Sequence, residues 1–191
     1  MNQPGNRERI RGQVKEAYGK LLYTYQTQQE AASLKRVMAN RLSLTQIALT
    51  AISTCGVISI FFGKAEIGAV VASLLAAVSL GINLYVRGAN LLEEAENHAR
   101  CANRLWVLMQ DYISLLTDFD GLDLEEIREK RESLFSRQAE MYAEAPRTND
   151  KAYARARARL KDGHQSFDPG ECDKLLPIDL RGNDGKDLNQ N

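Results

Sequence analysis

The sequence predicts an all-α protein: a two-helix transmembrane hairpin, extended by long cytoplasmic helices that pack as a coiled-coil-like bundle, with a small C-terminal helical segment. Three observations carry this. Residues 42–63 and 67–86 contain no charged side chain, yet charge bounds both runs sharply. Only a few residues separate the runs, so two helices there must be antiparallel neighbours. Finally, the flanks repeat apolar residues at spacings of three and four, the period of a helix face.

The N-terminal helix is expected over 6–41. Ile10, Val14, Ala17, Tyr18, Leu21 and Tyr25 mark its apolar face, and the segment lacks proline. It either continues into the first span or bends near Arg41 to Ser43. Because the first long apolar run begins only at Leu42, a cleaved secretory signal is not expected.

The first span covers 42–63 and the second 67–86, lengths of 22 and 20 residues. At about 1.5 Å per residue, either crosses a hydrocarbon core of roughly 30 Å. A soluble core helix of that length keeps one polar face; these runs keep no charged one. The partner of both is a lipid bilayer. Gly63 suits the end of the first helix.

Orientation follows from the basic residues. Lys35, Arg36 and Arg41 precede the first span, and Arg87, Arg100 and Arg104 follow the second, whereas the connector holds only Lys64. Positive charge accumulates on the cytoplasmic side, which puts both termini in the cytoplasm of a multi-pass protein. In a bacterium that membrane is the inner one.

Inside the first span Ser43, Gln46, Thr50 and Ser53 recur at helical spacing; in the second, Gly68, Ala72, Ala76, Ser79 and Asn83 do the same. Small and amide side chains let helices approach and bond across the contact. Lining of a watery lumen in an oligomer is the alternative for Ser43, Gln46, Thr50, Ser53, Ser79 and Asn83. No Asp, Glu, Lys or Arg lies within either span, which argues against a proton relay, an ion-coupled transporter or a voltage sensor.

The helix over 87–117 carries a heptad seam: Leu91, Ala95, His98, Ala102, Leu105, Met109, Tyr112 and Leu116. Such a seam packs along another helix or along a copy of itself. The N-terminal helix is the nearest partner, and a homo-oligomer is the other. His98 reads as a packed histidine before it reads as a pH switch.

A helical region is expected over 123–180. The Asp-rich stretch 118–123 forms a turn, and Asp123 caps a helix reaching about Ala143 before Pro146. The turn lacks the closing glutamate of a calcium loop. A short helix over Asp150 to Lys161 clusters Lys151, Arg155, Arg157, Arg159 and Lys161, which either contact anionic lipid or another anionic ligand or form a solvated face. Leu175, Leu176 and Leu180 should dock on the helices, and 181–191 reads as a flexible tail.

The chemistry of catalysis is missing. There is no phosphate-binding glycine loop, G-x-S-x-G or H-E-x-x-H, and Glu93-Glu94 and Glu125-Glu126 read as surface charge. Three scattered cysteines (Cys55, Cys101, Cys172) and two histidines (His98, His164) suggest reduced thiols and no metal site. No enzyme and no cofactor are expected.

The order of the parts resembles the SLATT family, two-transmembrane effector modules associated with SMODS nucleotidyltransferases and SLOG domains in bacterial conflict systems. The resemblance runs from about Tyr18 to Leu180. It is carried by the Tyr18 to Arg41 helix, the hairpin, the stretch from Arg147-Thr148 through Tyr153, Arg155 and Arg157, and the final Asp173-x-Leu175-Leu176-Pro177-x-x-Leu180. It implies an antiviral, pore-forming effector, silent until a separately encoded partner signals infection. That partner is a sensor, a nucleotidyltransferase or a reverse transcriptase, and the signal a nucleotide messenger. On that reading the heptad seam is the oligomerisation lever, and Gln46, Thr50 and Ser53 line a narrow lumen. A non-pore scaffold that recruits a partner protein is the competing class. A phage holin-like protein fits less well, given the long C-terminal region.

Overall fold

The structure is a computed structural model that describes residues 3–60, 65–163 and 171. Its elements are α1 (Gln3–Ile60), α2 (Ala65–Ala89), α3 (Leu91–Asp118), α4 (Leu124–Glu144) and α5 (Asp150–Lys161), with no strand among the described residues. The connector at 61–64, and with it Gly63, lies outside the described residues. So do His164, Cys172, the docking leucines and the 181–191 tail.

Of the two courses expected near Arg41, α1 takes the unbroken one. It is a single helix of 58 residues, about 87 Å long at 1.5 Å per residue. Its only proline, Pro4, sits in the first turn, where a missing N–H costs no intrahelical bond. The bundle and apolar portions of α1 therefore form one continuous helix.

The other arm is jointed. Between α2 and α3, Asn90 adopts a left-handed conformation with φ 41°. Asparagine tolerates that region better than other side chains with a Cβ. The Glu94 N–H still bonds the Asn90 carbonyl at 2.9 Å, so the chain re-enters a helix immediately. Sequence periodicity predicts no such joint within 87–117.

α3 runs antiparallel to α1. Lys35 pairs with Glu94, Gln28 meets His98, and Arg7 reaches the carbonyls that follow α3. α4 then returns parallel to α1, with Arg131 bonded to Gln13 and Tyr142 to Thr24. Ile10, Val14, Leu21, Leu105, Leu108, Tyr112, Phe119 and Ile127 close the core between these three helices. Buried within it, the Tyr112 hydroxyl donates to Gln138 Oε1 at 2.7 Å. Desolvation, with a smaller contribution from Tyr142, pushes that phenol up to about 12.

Local signals explain where α4 and α5 begin. The Asp123 carboxylate accepts from the N–H groups of Glu125 and Glu126, and the Glu126 side chain returns a bond to the Asp123 N–H. This reciprocal pairing satisfies donors that a helix start leaves unpaired. Asn149 likewise accepts from the Ala152 N–H at 2.9 Å to start α5.

Candidate functional site

The apolar hairpin and its junction with the bundle form the candidate site. One stretch among the described residues, within Ala69–Asp118, is long and apolar enough to cross a membrane, and none of its apolar window is buried. Val70, Leu74, Leu80 and Leu84 are 60–63% exposed. On the facing arm, Leu44, Ile47 and Ile52 are 55–67% exposed. An apolar envelope this continuous on both arms is far larger than the patches soluble monomers tolerate. The solvent that suits it is lipid.

The arms meet along an inner seam. On α1 the less exposed positions are Leu42, Gln46, Leu49 and Ser53; on α2 they include Ala72, Leu75, Ser79, Asn83 and Val86. The six polar residues singled out from the sequence thus divide. Gln46, Ser53, Ser79 and Asn83 are partly covered, and the Ser53 Oγ is fully buried. Ser43 and Thr50 are exposed. At about 100° per residue all four lie within an arc of about 80°, so they share one stripe whose Gln46 and Ser53 edge is covered and whose Ser43 and Thr50 edge is exposed.

Hydroxyls on the outer face satisfy themselves. Thr50 Oγ1 donates to the Gln46 carbonyl at 2.8 Å, Thr54 to Thr50 at 2.9 Å, and Ser73 to Ala69 at 2.8 Å. A hydroxyl bonded to its own helix needs no water, so it can face hydrocarbon at little cost.

Where both arms enter the bundle, Lys35 of α1 pairs with Glu94 of α3. One turn further on, His98 Nδ1 lies 2.5 Å from Gln28 Oε1. Gln28 Nε2 donates to the Pro146 carbonyl at 3.0 Å. With the amide so engaged, Gln28 Oε1 accepts, which puts the ring proton on Nδ1. Burial, reinforced by the positive charge of Lys35 and opposed by Glu94, holds the His98 pKa below its ordinary value. His98 is thus a packed, neutral link between α3, α1 and the segment before α5.

The heptad seam is closed within one chain. Leu91, Ala95, His98, Ala102, Leu105, Met109 and Tyr112 are buried and Leu116 is partly so. Leu108 and Leu115 join them, buried in the same core. A second copy can reach this seam only by displacing α1.

The basic helix α5 is partly engaged too. Ala152 and Ala156 are fully buried, letting the backbone approach closely. Tyr153 lies against Tyr23, ring centroids 6.3 Å apart. Arg159 Nε sits 2.8 Å from Glu30, and Arg155 Nη1 4.0 Å from it. Lys151, Arg157 and Lys161 are exposed on the outer face. Of the five basic residues expected to meet an anion, two thus meet a carboxylate of the same chain.

Sequence reasoning missed Glu30, Gln28 and a clasp at the far end of the bundle. There Arg7 Nη2 donates to the carbonyls of Phe119 and Leu122 at 2.6 and 2.7 Å. Arg11 lies over the Phe119 ring, 4.6 Å from its centroid, and pairs with Asp120. A usable signal existed for Gln28: it falls seven residues after Leu21 on the apolar face of α1, where a polar side chain needs a buried partner. Among the described residues, no cluster of three or more His, Cys, Asp or Glu side chains could hold a metal.

An exposed apolar arm rooted in a packed helical bundle defines a class: a membrane-anchored module with a helical body. The family model for SMODS and SLOG-associating 2TM effector domain family 4 matches residues 10–171. The chain belongs to that family of two-transmembrane effectors of bacterial conflict systems. Members of the family are membrane effectors and are not known as enzymes. No curated protein and no solved structure matches the chain.

Proposed function

We propose that the protein is the membrane-breaching effector of an antiphage system, assembling copies of its hairpin into a conducting path when a partner signals infection. Both arms cross the inner membrane, with both termini in the cytoplasm, as the distribution of Lys and Arg favours. The trigger comes from a separately encoded sensor, nucleotidyltransferase or reverse transcriptase, through contact or a nucleotide messenger. Family membership supports the effector role.

The observation that carries the reading is mechanical. One unbroken helix, α1, runs from the cytoplasmic bundle through the apolar arm. Any rotation imposed on the bundle is delivered undamped to the hairpin, while Asn90 lets the α2 arm follow at a different angle. Gln46 and Ser53, half-covered in the resting hairpin, become lumen-lining if the arms part. Ser43 and Thr50 are the polar groups already on the outside.

Reconstitution into dye-loaded liposomes tests this. The protein should leak dye once its trigger is supplied, and Gln46→Leu with Thr50→Leu should abolish both leakage and toxicity at equal expression. Unchanged toxicity in the double variant removes the lumen assignment. Lipid binding with no conductance under any trigger favours the anchored scaffold. The exposed Lys151, Arg157 and Lys161 give that scaffold its recruitment surface.

A further inference from the structure

We propose that the outward face of α3 is a homotypic interface that takes the α3 helix of a second copy of this chain, parallel and in register. This rests on the oligomeric reading above and names a surface for it, since the buried seam of α3 is occupied by the chain's own α1.

α3 carries a second heptad pattern on the side away from the core. Leu92, Ala99, Trp106 and Ile113 follow one another at intervals of seven, and Asn103, Gln110 and Thr117 interleave with them at the same interval. Leu92 is 58% exposed, Trp106 50% and Ile113 40%, with Val107 beside them at 51%. Trp106 is the only tryptophan in the chain. The two series occupy a and d positions, one apolar and one polar but uncharged, and among the described residues Leu92, Trp106 and Ile113 are left exposed while Ala99 is partly covered.

The face is also uncharged. From Ala99 to Thr117 neither series contains an Asp, Glu, Lys or Arg, in a chain where charged residues make up 26%. The exposed side of α4 is the contrast: Glu125, Glu129, Lys130, Glu132 and Glu140 all lie there. A helix face kept in water is normally charged like that of α4.

Membrane anchoring selects the occupant. A single residue, Asn90, joins α3 to the apolar arm. Every copy in the membrane therefore presents α3 at the same height and in the same direction. Two such helices brought together meet like residue to like residue: Trp106 with Trp106, Gln110 with Gln110. A charged strip would repel its own copy in that arrangement; this strip does not. A charged partner, conversely, finds nothing on it to pair with. Asn103, at an a-type position, bonds well only to its own counterpart and so fixes a parallel register. Glu96 continues the series toward the membrane, and its like-charge repulsion confines the contact to residues 99–117.

Single-cysteine forms of the full-length protein test the interface, with Cys55, Cys101 and Cys172 replaced by alanine. Asn103→Cys, Gln110→Cys, Glu129→Cys and Thr50→Cys are each oxidised in native membranes and run without reductant. Disulfide dimers are expected at positions 103 and 110 and not at 129. Adding Trp106→Glu with Ile113→Glu, both at exposed positions, should cut the yield at 110 by about tenfold or more with helicity unchanged. Cross-linking at 50 but not at 103 or 110 means that copies associate through another face, which overturns this inference alone. Monomers at both 103 and 110 overturn this inference, whereas the oligomer itself is tested by the triggered leakage assay. Dimers at 103 that appear only after deletion of residues 172–191 mean the chain's own tail covers the strip, and the inference fails. Equal yields at 110 and 129, or a yield at 110 indifferent to the two glutamates, overturn it as well.

Discussion

Glu30, on α1, accepts a 2.8 Å ion-paired bond from Arg159 Nε of α5 while its own side chain is only 4% exposed. The acid is buried and the base is not, since Arg159 keeps 58% of its side chain in solvent. Gln26 Nε2 adds a longer contact to the carboxylate at 3.4 Å. The pair fastens α5 to the same helix that continues into the membrane.

That asymmetry makes the two halves of the pair unequal under mutation. Arg159→Ala leaves the buried carboxylate only the longer contacts to Gln26 and Arg155, 3.4 and 4.0 Å away, and should destabilise α5 docking by about 2 kcal/mol, tempered from the fully buried case by solvent at the arginine. Glu30→Gln leaves the arginine free to turn to water, at a cost of about 1 kcal/mol. Amide exchange across Asp150–Lys161 measures both, and the double variant should regain part of the Arg159→Ala loss. Equal protection in all four proteins would remove Glu30 as the anchor.

The His98 environment predicts a pH dependence. Its pKa is depressed from 6.5 in the folded state, chiefly by burial. The unfolded chain therefore takes up the proton first as pH falls. Stability is complete above pH 6.5 and declines below it until the folded ring also protonates, by no more than about 1.4 kcal/mol per pH unit. Thermal unfolding in detergent at pH 7.5 and 5.5 should show this decline, and His98→Gln should remove its share of the slope. A slope that survives the substitution intact assigns the effect elsewhere.

Within the hairpin, Ser53 and Thr50 should respond oppositely to leucine. Ser53→Leu forces volume into a covered position and should cost about 1–3 kcal/mol of helix packing. Thr50→Leu, on the exposed face, should leave hairpin stability within about 0.5 kcal/mol. Steric trapping or resistance to thermal aggregation in detergent reports both. A Thr50→Leu loss as large as that of Ser53→Leu contradicts the placing of Ser53 on the covered edge of the stripe and Thr50 on its exposed edge.

At the opposite end of the molecule, Phe119 is fully buried beneath Arg7 and Arg11. Phe119→Ala should destabilise the bundle by about 3–5 kcal/mol through lost burial and a cavity. Arg7→Met keeps the packing stem, loses the two carbonyl bonds, and should cost about 1–2 kcal/mol. The denaturant midpoint of the bundle helices is the measurement. If Arg7→Met is as damaging as Phe119→Ala, the arginine holds more than this turn.

Much of the architecture is legible locally. The capping box at Asp123 and Glu126 is written in adjacent residues, and so are the Asn149 cap and the limits of α5 at Asp150 and Lys161. Helix starts are decided by side chains within a turn of the backbone they satisfy. The break at Asn90 was not legible, because asparagine occupies many helices without leaving them. Nor was the pairing of Glu30 with Arg159, whose partners are 129 positions apart in the chain.

By itself the sequence determined that this chain is helical, that it carries apolar runs too long and too bare for water, and where charge stops them. Those are properties of period and of transfer between solvents, and each is local. The heptad spacing also named the packing face of α3, and only the tertiary structure decided that α1, and not a second copy, closes it. The hairpin delivers α1 to that side, and Leu105, Leu108, Met109 and Tyr112 share its core. The fate of each polar group was decided the same way. Gln28 and Glu30 are buried in bonds to distant partners, while Thr50 turns outward and bonds its own helix. Spacing places a residue on a helix face, but the neighbour that meets that face comes from elsewhere in the chain.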